Sequence, residues 1–405
     1  MQIMKINVNN PFRIHGVVSG PYFTNRADEV DLMVKALTDP GSKLLVYGPR
    51  RMGKTSAVLE AISHVNKAGG IAFLADLSTS STAIDMGNRI LAAATKAVGR
   101  KWKTFVTDIV SKLNVSVNLN HDPATGIILP SVDFSLRQGK IDNQRKTLVR
   151  LLDAINQLAK DRKSTIGIAL DEFQEIHKFG GRSAEWDLRS TIQHHDNIGY
   201  ILSGSREHII QRMMESKGAF YKLVDKMQFT PIDPDYLAKW INERLASAGL
   251  KSAALGESIV RMAGPRTRDI VQLARKCFDL MRSRAKPNRK DVELAFEEIV
   301  EEDYDLLQSQ WGTLTAHRQN VLRAISAGQK GLTTRETLSK FSLGSSGTVT
   351  NTVNALVKEG ILIRDELYNR KRVASATGYD FDSPFFKAWV IRYTLSDIGL
   401  PGVNP

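Results

Sequence analysis

The spacing of apolar residues changes several times along this chain, and each change marks an element. Residues 43–48, KLLVYG, form a short apolar run closed by glycine, which predicts a buried strand. From Thr55 to Lys67 the apolar residues Val58, Leu59, Ile62 and Val65 recur at helical spacing. GGIAFLADL (69–77) predicts a second strand, and a helical period follows from Ala83 to Val98. Strands that alternate with helices in this way imply a parallel sheet covered on both faces. VSVNLN (115–120) and IILPSVDFSL (127–136) then alternate apolar with polar residues on either side of the turn-rich HDPATG. That pattern predicts a β-hairpin inserted into the α/β core at about 100–145. The helical period resumes from Gln144 to Lys160. IGIALDEF (166–173), GYILSGS (199–205) and KMQFTPI (226–232) supply three more strands, with a helix at Ala184–His195.

Beyond Pro234 the strand signals stop. Helical stretches at 234–247, 256–262, 266–284 and 289–302 suggest a compact four-helix module, with RSRAKPNRK (282–290) as its last loop. A third unit follows, with helices near 315–327, 333–341 and 346–358, strands at 361–367 and 371–376, and a closing helix from Pro384. The expected division is a core at 1–232, a helical module at 233–306 and a C-terminal module at 312–394. The expected fold is an α/β parallel sheet followed by two smaller, mainly helical units.

Composition narrows the partners. Of 405 residues, 56 are Lys or Arg and 43 are Asp or Glu, a formal charge of +13 that favours polyanions such as nucleic acid or nucleotide phosphates. At 42% hydrophobic and 24% charged, the chain is neither disordered nor coiled-coil. No apolar run approaches the roughly 20 residues of a membrane-spanning helix. The opening MQIMKINVNNPFR has no apolar stretch that would serve as a secretion signal. A single cysteine, Cys277, excludes an intramolecular disulfide and any multi-cysteine metal site. The expectation is a soluble cytoplasmic protein with no membrane partner.

The strongest chemical signal is Gly48-Pro49-Arg50-Arg51-Met52-Gly53-Lys54-Thr55, followed by Ser56, which fits G-x-x-x-x-G-K-[ST] between a strand and a helix. The glycines let the backbone wrap a phosphate so that successive N–H groups point inward, and the positive end of the following helix adds to the attraction. Lys54 is placed to neutralise β and γ phosphates, and the Thr55 hydroxyl to ligate Mg²⁺. ATP and Mg²⁺ are therefore the expected ligands.

Asp171 and Glu172 end the third core strand, where a carboxylate meets a metal held at the sheet edge. Asp171 suits the Mg²⁺, and Glu172 suits activation of a water molecule. At the end of the next strand, Ser203, with Ser205 as the second choice, can hold the water or the γ-phosphate, although such turn serines often serve the turn alone. Arg266, in AGPRTRD, can reach phosphates or be a solvated arginine at a helix start. His194-His195-Asp196 looks like a metal cluster, but adjacent helical residues point apart, so a helix end is expected there. Cys277, beside Ala274 and Phe278 on an amphipathic helix, is expected to be a buried thiol.

With GPRRMGKTS, ALDEFQEI, ILSGS and AGPRTRD in this order, the chain resembles the archaeal-type P-loop ATPases on the AAA+/STAND border. The lead-in NNPF…VSGPYFTNRADEVDLM and the ending SPFFKAWV are similar to that family's, so the resemblance runs from about Asn10 to Arg392. It implies an AAA+-like sheet, a helical lid and a C-terminal winged helix. It also implies that Asn25 and Arg26 lie by the adenine, that Lys54 and Thr55 are the Walker A pair, and that Asp171 and Glu172 are the Walker B pair. Ser203 would be sensor 1 and Arg266 sensor 2. Two departures stand out. The Walker motifs lie far apart, as a hairpin insertion explains. Lys222 also follows Phe220-Tyr221 where many relatives carry arginine, leaving Arg206 and Arg212 as candidate arginine fingers. Without a finger, hydrolysis is expected to be slow.

In GSSGTVTNTVNALVKEG the apolar Val349, Val353, Leu356 and Val357 mark a buried helix face. Ser346, Thr348, Thr350, Asn351 and Asn354 lie opposite, with groups able to reach bases or phosphates. Lys358, Arg364, Arg370, Lys371 and Arg372 add charge around the expected wing. The leading expectation is a slow, Mg²⁺-dependent ATPase acting as a switch or assembly protein on double-stranded DNA, with homo-oligomers an open possibility. The alternative is a signalling or scaffold switch whose winged helix binds a protein partner.

Overall fold

A computed structural model describes residues 9–98, 104–109, 116–121, 128–133, 141–250, 255–282, 288–364 and 377–395, apart from positions 15, 17, 19 and 106. It divides into two compact units, Val17–Thr230 on one side and the described parts of Met1–Gly16 and Pro231–Pro405 on the other.

The first unit contains α1 (Ala27–Thr38), β1 (Lys43–Tyr47), α2 (Lys54–Lys67), β2 (Ile71–Asp76) and α3 (Ala83–Val98). After α3 come β3 (Ser116–His121), β4 (Ile128–Asp133), α4 (Ile141–Asp161) and β5 (Ile166–Asp171). A 3-10 segment at Phe173–Phe179 precedes α5 (Gly181–Ile192), β6 (Ile198–Gly204), α6 (Glu207–Met214) and β7 (Asp225–Gln228). Five strands make one parallel sheet in the order β2-β5-β6-β1-β7. Period-two alternation divides their side chains between two cores. Leu45, Phe73, Ile168, Tyr200 and Leu202 pack with α3, α4 and α5 on one face, and Leu44, Val46, Ala72, Ala169 and Ile201 with α1 and α2 on the other. Gly199 lets α1 lie close, since a Cβ there would stand 2.2 Å from the Ala36 carbonyl oxygen.

The expected hairpin is present. β3 and β4 pair antiparallel as a separate sheet, with Ser116 opposite Asp133, between α3 and α4. Its turn, 122–127, lies outside the described residues. The helix expected from Ala184 starts at Gly181 and stops at Ile192, and the strand expected over 226–232 is four residues long.

The second unit contains α7 (Pro234–Ser247), α8 (Leu255–Ala263), α9 (Thr267–Met281), α10 (Arg289–Glu302) and α11 (Tyr304–Gly312). It continues with α12 (Ala316–Ser326), α13 (Arg335–Lys340), α14 (Ser346–Glu359), β8 (Leu362–Arg364), β9 (Tyr379–Phe381) and α15 (Pro384–Thr394). Helix starts follow their capping residues. Asp233 accepts from Asp235 and Tyr236 N–H groups at 3.0 Å ahead of Pro234, Asn288 closes a capping box with Asp291, and Ser345 accepts from Thr348 N–H at 3.2 Å. Helices α12, α13 and α14 followed by the antiparallel β8–β9 ribbon have the element order of a winged helix. The ribbon's second strand falls at 379–381. The expected strand 371–376 and the centre of the basic tract, 283–287, lie outside the described residues.

One apolar core runs through the whole second unit. Trp311, Phe386 and Trp389 meet with ring centroids 6.1–6.4 Å apart, Tyr304 and Tyr393 join them, and Phe296 packs on Phe385 at 5.0 Å. The closing FFKAWV segment therefore serves as the seam between the four-helix segment and the C-terminal module. Cys277 is fully buried there, and burial pushes its thiol far above the usual range, as expected for an inert core residue. No helix among the described residues is long and apolar enough to cross a membrane.

Candidate functional site

The site forms where the carboxyl ends of β1, β5 and β6 meet. Registers Tyr47–Gly204 and Leu170–Leu202 bring these strand ends level, so the loop after β1 faces the loops after β5 and β6.

Residues Gly48 to Gly53 join β1 to α2. At Gly48, with φ of 152°, a Cβ would stand 2.5 Å from the Phe229 carbonyl oxygen, so only glycine lets the loop leave the strand here. Gly53 occupies the N-cap of α2 with φ of 91°, and the helix opens directly at Lys54 and Thr55. Lys54 is buried, with Nζ 2.8 Å from the Gly48 oxygen and 2.7 Å from the Pro49 oxygen. Its charge is thus centred under the loop. Met52 is buried beneath the same turn, whereas Arg50 is exposed and Arg51 adopts φ of 63°. Ser56 holds the chain segment leading into the unit, accepting the Val18 N–H at 3.3 Å.

Two sequence motifs 116 residues apart meet at one bond. Thr55 Oγ1 donates to Asp171 Oδ2 at 2.7 Å, and Asp171 is buried. Its other oxygen accepts the Glu172 N–H at 3.1 Å. A hydroxyl and a buried carboxylate side by side supply the hard oxygen donors that Mg²⁺ requires.

Glu172 takes a left-handed conformation, φ 53° and ψ 39°, that costs a residue with a Cβ on the order of 1–3 kcal/mol. The Glu175 N–H, donating to the Glu172 carbonyl at 2.9 Å, helps hold it. This turn carries the carboxylate toward β6. There Ser205 Oγ donates to Glu172 Oε2 at 2.8 Å, and Gln174 Nε2 donates to the same oxygen. Ser205, the second choice in the sequence, is therefore the hydroxyl that touches Glu172. The hydroxyl of Ser203 is fully buried in the sheet and makes no hydrogen bond among the described residues, because Ser203 still belongs to β6 opposite Val46. Gln174 was not legible as a site residue. Its segment, FQEIHKF, carries several polar residues, and nothing in the sequence singles this one out.

The other candidates are spread more widely. Arg26 is buried, stacks 4.0 Å from the centroid of Phe229, and binds Glu29 and the Thr230 oxygen at 2.6 Å. Because Phe229 also abuts Gly48, Arg26 lies one ring away from the P-loop, and Asn25 beside it is exposed. Arg206 pairs with Glu175 at 3.2 Å and Arg212 with Glu185 at 2.5 Å. His195 is buried between Tyr200 and Asp153, at 2.8 and 2.9 Å. Burial first, then the Asp153 charge, raise the Tyr200 hydroxyl well above its ordinary value.

Arg266 lies in the second unit. Its guanidinium is buried against Asp382, Nε donating at 2.8 Å and an Nη donating to the same oxygen. The Asp382 N–H in turn donates to the Ile361 carbonyl at 2.9 Å, tying the start of α9 to the C-terminal ribbon. Truncating Asp382 removes the oxygen that accepts two guanidinium donors in a buried site. Asp382→Ala is expected to destabilise the second unit by about 3 kcal/mol. Chemical denaturation, with Asp382→Asn as a milder comparison, measures it.

On α14 the expected division of faces is observed except at Val357, which is only partly buried. Val349, Val353 and Leu356 are buried, while Ser346, Thr348, Thr350, Asn351, Asn354 and Lys358 are exposed, as is Arg364 on β8. Arg370, Lys371 and Arg372 lie outside the described residues.

Residues 39–213 match the family described as "AAA domain". They form an AAA domain. The structure is similar to a Walker-type ATPase of Pyrococcus abyssi, with a TM-score of 0.60 at 14% identity, covering 96% of this chain and 99% of that one. It is also similar to the ORC2 protein of Aeropyrum pernix solved in ADPNP–ADP complexes, with a TM-score of 0.55 at 13% identity over 97% and 99% of the two chains. At these identities the likeness establishes a shared fold, that of an AAA+ P-loop protein extended by a C-terminal helical region. No curated protein matches the sequence significantly.

Proposed function

We propose that the AAA domain binds ATP with Mg²⁺ and hydrolyses it slowly, and that the winged-helix module associates with double-stranded DNA, so that the protein is a nucleotide-dependent switch or assembly factor. The observation that carries the ATPase reading is the 2.7 Å bond between Thr55 and Asp171, with Glu172 next in sequence and turned toward β6. The ADPNP–ADP complexes of the A. pernix protein, which shares the fold, support a nucleotide ligand.

Thr55 and Asp171 are the residues that would hold Mg²⁺, which would supply Lewis-acid neutralisation of phosphate charge. Lys54 and the first N–H groups of α2 bind the phosphates. Glu172 takes a proton from water as the water oxygen bonds to the γ-phosphorus. The bridging P–O bond breaks toward ADP, leaving ADP and phosphate. Ser205 and Gln174 occupy one Glu172 oxygen and leave the other to face the water. Slow turnover follows from Lys222 at the usual finger position and from Arg206 and Arg212 being paired within their own unit.

For DNA, the support is the exposed polar face of α14 together with Lys358, Arg364 and the net charge of +13. Titration with duplex DNA at several salt concentrations tests it. Three or more phosphate contacts give a log–log slope of about −2.7 or steeper, and Arg364→Ala is expected to flatten that slope by about 1. A slope near zero with weak affinity would favour the scaffold reading, in which the same face binds protein.

A further inference from the structure

Arg50 is the third residue of the P-loop and is exposed. Its Nε donates to Ser205 Oγ at 3.4 Å, and Ser205 Oγ donates to Glu172 Oε2 at 2.8 Å. The loop therefore presents this guanidinium to the same edge of the site as the water-activating carboxylate, whereas Lys54 lies under the loop at the Gly48 and Pro49 carbonyls. Four other cations of this unit are already engaged. Arg26 is held by Glu29 and Thr230, Arg206 by Glu175, Arg212 by Glu185, and Lys222 sits 5.4 Å from the Tyr221 ring centroid. Arg50 carries no ion pair among the described residues, and its one hydrogen bond uses Nε. Both terminal amino groups remain for an anionic oxygen, in the fork that matches a phosphoryl group.

We propose that Arg50 is a catalytic cation supplied in cis. It binds the γ-phosphoryl oxygens of ATP and, through Ser205, sets the position of Glu172. Arg50 thus meets the terminal phosphate from within its own chain, while the usual finger position still carries Lys222. This inference rests on the ATPase reading above and adds the group that meets the terminal phosphate. Ser205 is a positioning residue in this scheme, since it acts through Glu172.

The test uses the full chain, with Mg²⁺, ADPNP and ADP as binding probes and ATP as substrate. Arg50→Ala is expected to weaken ADPNP about tenfold while ADP binding changes less than about twofold, and to lower kcat about 10²-fold, as for loss of one transition-state donor. Arg50→Lys is expected to recover part of the ADPNP preference and little of kcat, because a point charge replaces the fork. Ser205→Ala is expected to leave the ADPNP-to-ADP ratio and the KM for ATP unchanged and to lower kcat, since Glu172 loses the hydroxyl that positions it. A purely structural role for Ser205 would move KM together with kcat, and Ser205→Thr is expected to restore kcat. Turnover per protein is expected to be independent of protein concentration.

If Arg50→Ala keeps both the ADPNP preference and kcat, the inference is overturned. A parent whose specific turnover climbs with concentration, with Arg50→Ala tracking it, overturns it in favour of a cation from a second copy. The underlying reading fails separately, when Lys54→Ala binds ADP and ADPNP as tightly as the parent.

Discussion

Lys54→Ala is expected to cost ATP binding at least about 100-fold, from losing a charge-assisted contact of the kind worth about 1.5–3 kcal/mol together with its screening of adjacent phosphates. Lys54 is buried, with its ammonium on two carbonyls of its own loop. No other lysine side chain in the described part of this unit approaches those carbonyls by a hydrogen bond, so truncation removes the cation without a local substitute. The fold should survive, because the residue packs at the start of α2 and alanine is a good helix former. Equilibrium binding of ADPNP, with circular dichroism to confirm folding, measures the effect. Unchanged affinity would place the nucleotide elsewhere.

Glu172→Gln is expected to do the opposite, retaining ATP and abolishing its turnover. Glutamine has nearly the same shape, and its carbonyl oxygen can still accept from Ser205 and Gln174 as Oε2 does in the parent. The group left facing the water is then an amide, which takes no proton at neutral pH. Loss of a general base is worth about 10²–10⁴ in rate. Single-turnover assays with saturating ATP read the chemical step directly, and binding of ADPNP within twofold of the parent separates chemistry from affinity.

Much of the architecture is legible in the pattern of the chain because buried strands and amphipathic helices obey short periods. KLLVY, IAFLAD, IGIALD and IGYILSG are apolar on both faces since helices cover both sides of the sheet. The hairpin at 116–133 is visible because its alternation differs from that of its neighbours. Two kinds of feature are not visible. Helices α6 and α11 are short, as in EHIIQRMM, where one turn of apolar residues is not enough to separate helix from loop. The 3-10 segment after β5 depends on the left-handed turn at Glu172, a tertiary effect with no local signal.

At the site the motifs themselves were legible, and their contacts were not. G-x-x-x-x-G-K-[ST] and the acidic pair can be named from spacing, since both sit at strand ends by the logic of the fold. Whether Ser203 or Ser205 meets Glu172 depends on where β6 releases the chain, a matter of one residue. The two positions share strand parity, so the end of β6 at Gly204 decides it, keeping Ser203 in the sheet and leaving Ser205 beyond it. Arg266 shows the same limit from the other direction. Its place beside a helix start suggested a phosphate, but the residue that meets its guanidinium, Asp382, is 116 positions away in sequence.

The most direct test is a structure of the full chain with ADPNP and Mg²⁺. The triphosphate is expected to be wrapped by residues 48–55, with Lys54 drawn from its loop carbonyls onto phosphate oxygens and with Thr55 and Asp171 among the residues that hold the metal. A nucleotide bound away from this loop, or a metal held away from both Thr55 and Asp171, would overturn this site.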